Sequence, residues 1–140
     1  MADQLTLRVI TPEQIALDEP VKSVQLPGLD GSLGILPRHA HMITGLDTGV
    51  ASYTDSSGRE HDMFVNGGFA EVSGSTVRVI TRSGEIADEI DEERARDAEK
   101  RARERLDQAR RGELSDVDVL RAEAALQRAV LRLRTRNRRR

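Results

Sequence analysis

With 140 residues, no cysteine, one tyrosine and two phenylalanines, the chain is long enough for one domain or a small domain with an appendage, and it excludes both a disulfide framework and a thiolate metal site. The formal charge of −2 conceals an asymmetry: residues 1–84 hold six cationic against ten acidic side chains, a net of −4, and residues 85–140 hold sixteen against fourteen, a net of +2. The N-terminal stretch MADQLTLRVI lacks the basic start and apolar core of a signal peptide, and no apolar run nears the roughly 20 residues that span a bilayer, so a soluble, cytosolic chain is expected.

The first part is written in short alternating runs. Leu5, Leu7 and Val9 alternate with Thr6 and Arg8, and Val77 and Val79 with Thr76, Arg78 and Ile80, the period of half-buried strands. Between them lie VKSVQLP, SLGILP, GVASYT, REHDMFVNGG and FAEVSG, bounded by the turn-rich PGLDG, DSSG and GSTV. This pattern predicts an all-β N-terminal sandwich of about ten short strands. Because aromatic residues are scarce, Leu, Ile and Val must fill its core.

Near Gly84 the composition changes. All 11 glycines but Gly112 and all four prolines lie at or before residue 84, which divides the chain into a β-sandwich domain over 1–84 and a two-helix domain over 85–140. Ala95, Ala98, Ala102, Leu106 and Ala109 recur at helical spacing, with Asp91 as N-cap and Gly112 as stop. Ser115 caps a second helix whose stripe is Val119, Ala122, Leu126, Ala129, Val130 and Leu133, and Asp116 and Asp118 stand in its first turn, favoured by the dipole. The short loop between them makes an antiparallel hairpin. Its stripes are alanine-rich, and each methyl contributes on the order of 0.8 kcal/mol of burial, so two intrinsically stable helices are weakly joined.

Nothing catalytic emerges from this pattern. There is no G-x-S-x-G elbow; His39, His41 and His61 do not assemble a metal-ligand set; and no Gly-Lys-Ser/Thr follows the glycines of PGLDGSLG. The arginines are more informative. In the hairpin Arg94 faces the neighbourhood of Arg128 and Arg132, which are four apart on one face. Three such guanidinium groups repel one another unless an anion sits among them, and Arg holds phosphate oxygens in bidentate fashion. The competing reading is that Glu85, Asp88, Glu89, Asp91 and the other nearby carboxylates neutralise them. The last nine residues, RLRTRNRRR, crowd Arg132, Arg134, Arg136, Arg138, Arg139 and Arg140 together, either as a solvated end or as a surface seeking an acidic partner. Nucleic acid is not the expected partner, because no aromatic residue is interleaved with the arginines to stack on bases.

The order of these blocks resembles the epsilon subunit of bacterial F-type ATP synthase. PGLDGSLGILPRHA at Pro27 to Ala40 and FVNGGFAEV at Phe64 to Val72 are similar to that family's signatures, followed as there by an Ala-rich hairpin. The resemblance implies a non-catalytic central-stalk subunit. Its β-sandwich would pack on the gamma subunit and the ring of c subunits, at the cytoplasmic face of the inner (plasma) membrane. Its hairpin would lie folded or extend toward the catalytic alpha and beta subunits, where it inhibits ATP hydrolysis. No cofactor is required, although some members hold a regulatory ATP through a motif I/L-D-x-x-R-A. IDEERA matches that motif at Ile90, Asp91, Arg94 and Ala95, the upstream glutamate falls on Glu85, and the second-helix arginines fall on Arg128 and Arg132. By carry-over the three arginines would hold phosphates, and Glu85, Ile90, Asp91 and Ala95 would line the nucleoside end. The alternative is a free-standing ATP-sensing or anion-binding switch protein.

Overall fold

A computed structural model describes residues 4–140; residues 1–3 of the first predicted domain lie outside the described residues. The chain forms two compact units, one ending at Ala87 and the other spanning Asp88–Arg140.

The first unit contains seven strands among the described residues: β1 (Leu5–Ile10), β2 (Ile15–Gly28), β3 (Gly31–Ile35), β4 (Met42–Asp55), β5 (Glu60–Ser73), β6 (Thr76–Ile80) and β7 (Gly84–Ile86). Their order is β1-β6-β5-β4-β2-β3, with β7 on β5, and a β1–β2 pairing closes the sheet. The β1–β6 pair is parallel. The long strands β2 and β5 each change neighbour half-way. On one edge β5 follows β4 throughout, while on the other it pairs β7 at Met63–Val65 and β6 at Phe69–Ser73. β2 likewise pairs β1 in its first half and β3 in its second. Strands that switch partners in this way turn the corners of a two-layered sandwich.

The alternation read from the sequence is realised. Leu5, Leu7 and Val9 point inward from β1, and Val77 and Val79 from β6, to join Val21, Val24, Leu26, Ile35, Met63, Val65 and Val72 in one buried cluster. Fully burying each such side chain stabilises the fold by about 1.5 to 3 kcal/mol.

Strand number differs from the expected ten or so because several glycines and prolines that read as turns lie inside strands. β2 absorbs Pro27 through a register shift between Gln25 and Gly28, while Pro20 pairs in register with Thr6. In β4, Gly45 and Gly49 leave room for Leu29 and Pro27, whose side chains come within 2.5 and 3.0 Å of where a Cβ would stand. Gly68, with φ 100°, carries β5 past the Ile80 carbonyl, which a Cβ would overlap. Glycine in these strands marks close approach.

The second unit is the hairpin of α1 (Glu92–Arg110) and α2 (Asp116–Asn137), preceded by a 3-10 turn at Ala87–Glu89. Asp91 Oδ1 accepts from the Arg94 amide at 3.1 Å, and Ser115 Oγ from the Asp118 amide at 3.2 Å. Gly112 takes φ 74° just past the C-cap of α1. The buried contacts are Ala95 and Ala102 on α1, and Ala122, Ala129 and Thr135 on α2. The larger Leu106, Leu126 and Leu133 are only half-buried. α2 runs on through Thr135, Arg136 and Asn137, so half of the basic end is helix rather than an extension beyond the hairpin. The Thr135 hydroxyl supports this by donating to the Leu131 carbonyl at 2.7 Å.

Candidate functional site

The second unit carries Ile90, Asp91, Arg94, Ala95, Arg128 and Arg132, while Glu85 sits in β7 of the first, where it is half-buried and pairs in register with Phe64. Within the hairpin Ile90 and Ala95 are buried. Arg94 is exposed, and Arg128 and Arg132 are half-buried. Asp91 spends one carboxylate oxygen on the cap, so it orders the first turn of α1 whether or not a ligand is present.

Cross-helix contacts fix the register. Glu92 Oε1 accepts from Asn137 at 3.4 Å, and Glu92 Oε2 lies 3.8 Å from Arg136 Nε. At 1.5 Å rise per residue, Arg132 and Arg128 lie about 6 and 12 Å along the axis from this contact, and Arg94 about 3 Å the same way. The three arginines therefore occupy consecutive levels near the open end.

Three carboxylates at this end pair with other arginines: Glu92 with Arg96 at 2.7 Å, Glu99 with Arg103 at 3.2 Å, and Asp88 with Arg140 at 2.7 Å. Among the described residues the Arg94 and Arg128 guanidinium groups have no carboxylate partner, whereas Arg132 and Glu85 do have interactions of their own. Arginines near the chain end are thus paired with carboxylates, while Arg94 and Arg128 have no direct carboxylate contact among the described residues. A groove of about 520 Å³ also lies between the helices, toward their loop, over Ala98, Ala102, Ala122 and Ala125 with Arg101, Arg105 and Arg121 at its sides. None of the predicted residues lines it.

The histidines do not meet. His41 Nε2 accepts from the Gly74 amide at 3.1 Å, and among the described residues no group of metal-ligating side chains occurs. His61 Nε2 bonds Asp55 Oδ2 at 2.8 Å and stacks on Tyr53 with centroids 4.9 Å apart. The Ser57 hydroxyl donates to Asp55 Oδ1 at 2.6 Å. Serine and histidine both address the aspartate and not each other, so no nucleophile is activated. The cluster pins the β4–β5 turn. The Ser57 hydroxyl above all, then His61 and the Arg59 amide, hold the Asp55 carboxyl well below the usual carboxylate range.

One surface escaped the sequence reading. Gly45, Phe69, Ile80 and Ile10 stand opposite one another across β4, β5, β6 and β1, with Leu29 over Gly45. Ile43, two residues along β4, shares their face. Ile43 is 71% exposed, Leu29 66% and Phe69 45%. A contiguous apolar strip on an outer sheet face marks an interaction surface. Its signal in the sequence was the break in alternation at Ile10 and Ile80.

Comparison with known proteins agrees with this architecture. The family description "ATP synthase, Delta/Epsilon chain, beta-sandwich domain" matches residues 4–87, and "ATP synthase, Delta/Epsilon chain, long alpha-helix domain" matches residues 88–136. An ATP synthase epsilon chain of Nitratidesulfovibrio vulgaris (strain DP4) is 43% identical over 136 residues, covering 97% of this chain and 98% of its own. One from Carboxydothermus hydrogenoformans is 47% identical over 106 residues, 76% of this chain and 78% of its own. A chain in the cryo-EM structure of the Euglena gracilis mitochondrial ATP synthase shares the fold, with a TM-score of 0.74 at 24% identity over 89% of this chain and 76% of its own. Matched along nearly its whole length, the chain belongs to the ATP synthase delta/epsilon chain family as an epsilon-type, non-catalytic stalk subunit.

Proposed function

We propose that the β unit docks this subunit on the gamma subunit and the ring of c subunits through its apolar strip, and that the hairpin is an ATP-responsive brake on hydrolysis. The complex would place it peripherally at the cytoplasmic face of the membrane; among the described residues no helix is long and apolar enough to cross one. Opened, the hairpin would present its arginine-rich α2 end to the catalytic alpha and beta subunits. Closed, it would hold ATP phosphates on Arg94, Arg128 and Arg132, with Glu85, Ile90, Asp91 and Ala95 at the nucleoside end.

The observation that carries the ATP reading is that Arg94 and Arg128, toward the open end of an alanine-lined hairpin, have guanidinium groups with no carboxylate partner among the described residues. Four buried alanine methyls contribute about 3 kcal/mol to closure at roughly 0.8 each. A ligand that binds only the closed form at about 100 times its Kd adds about 2.7 kcal/mol, a comparable amount. Ligand and alanine contacts are thus matched in scale, as a switch requires.

Calorimetric titration of the full chain with ATP tests this. One site is expected. Arg128→Gln should weaken it by about 1.5 to 3 kcal/mol, the scale of a charge-assisted hydrogen bond, while Arg110→Gln near the loop changes little. Equal losses at both would mean diffuse attraction and would end the site assignment. A free-standing sensor remains the alternative; co-purification with stalk and catalytic subunits would sink it.

A further inference from the structure

We infer that the extreme C-terminus is an ionic clasp that holds the hairpin shut without any ligand. Arg140 donates to Asp88 Oδ1 at 2.7 Å. Asn137 donates to Glu92 Oε1 at 3.4 Å, and Arg136 Nε stands 3.8 Å from Glu92 Oε2. The two hydrogen bonds join residues 45 and 52 positions apart in sequence, and all three contacts lie at the open end, farthest from the loop. Asn137 and Arg140 also lie beyond the stretch matched by the helical-domain description, which stops at 136.

The local charge pattern favours the clasp twice over. Asp88, Glu89, Asp91, Glu92 and Glu93 crowd the start of α1, and Arg132, Arg134, Arg136, Arg138, Arg139 and Arg140 the end of α2. Each cluster suits the dipole of its own helix end, and the antiparallel hairpin sets them side by side. The open end is where two helices joined by a loop separate first, so contacts there oppose opening most effectively. Asp88 and Arg140 are largely exposed, whereas Arg136 and Glu92 are less so. Such pairs shift an equilibrium by about twofold to fivefold each and weaken with salt. The same arginines that would oppose rotation when the hairpin is open are occupied when it is closed. Unlatching and arming are then one event.

The clasp rests on the mobile-hairpin reading, and the test separates the two. The chain has no cysteine, so spin labels at Lys100→Cys and Gln127→Cys, both exposed, report the helix separation in the full chain. Without ATP at low salt, Asp88→Asn with Glu92→Gln should raise the open fraction about fivefold, and high salt should erase the difference. Asp88→Arg should open the hairpin, and adding Arg140→Asp should close it again. An open fraction unmoved by the neutral pair, or an Asp88→Arg effect that the second change does not reverse, overturns the clasp. In reconstituted complexes the neutral pair keeps every arginine and should deepen inhibition of hydrolysis. If distances shift as expected while hydrolysis does not, the clasp stands and the regulatory reading falls.

Discussion

Ile43→Ser separates a docking role for the outer strip from a role in folding. An isoleucine buried fully contributes about 1.5 to 3 kcal/mol. Ile43 is 71% exposed, so about two-thirds of that, roughly 1 to 2 kcal/mol, is available to a partner and the remainder to the fold. At 1.4 kcal/mol per decade, the variant should bind the isolated central-stalk partner about fivefold to thirtyfold more weakly. The thermal midpoint should fall by only a few degrees, since about 1 kcal/mol shifts a domain of this size by roughly 4 to 8 °C. Titration against the purified partner, with calorimetric melting of both chains, reads the two quantities separately. Val117→Ser is the control, because Val117 is similarly exposed but lies on α2. Wild-type affinity for Ile43→Ser, or an equal loss for Val117→Ser, would refute the strip as the docking face.

Two further outcomes concern stability. The folded Asp55 carboxyl has a pKa below its unfolded value, so the unfolded chain binds more protons through the interval between them. The contribution of this group is therefore present above the ordinary carboxylate range and is lost as pH falls through the folded value; melting from pH 6 to pH 2 should show a shallower acid decline for Asp55→Asn than for the parent chain. Gly68→Ala should cost at least about 1 to 2 kcal/mol from the left-handed backbone alone, plus the displacement needed to clear the Ile80 carbonyl. A denaturant midpoint equal to that of the parent chain would contradict the close approach of β5 to β6.

What was legible in the sequence is what local chemistry decides. The Asp91 and Ser115 caps and the Gly112 stop appear where side-chain and backbone preferences put them, and the inward positions of β1 and β6 follow the period of two. Long-range geometry was less legible. The close approach at Gly45 and Gly49 was not legible because the side chains that fill their space, Leu29 and Pro27, come from a different part of the chain. The outer strip is assembled from four strands, so no window of sequence contains it. At the candidate site the motif IDEERA and the two α2 arginines were visible, and hairpin geometry placed them near one another. Glu92 as the carboxylate that meets α2 was not, although a hairpin centred on the Gly112 loop already sets residue 92 opposite the mid-130s. The Arg-rich end was read as a solvated tail or a partner-seeking patch, while its ion pairs with Asp88 and Glu92 depend on α2 continuing to Asn137.

The regulatory claim is tested most directly by ATP hydrolysis in complexes reconstituted with the full chain or with a chain ending at Ala87. That shorter chain keeps all seven described strands, including β7 and its pairing with Met63–Val65, and a cooperative β-type thermal transition would verify that it folds. Faster hydrolysis with the shorter chain, and full-length inhibition that relaxes as ATP rises, is the result expected of a hairpin brake. Equal rates for the two complexes across ATP and salt would contradict it.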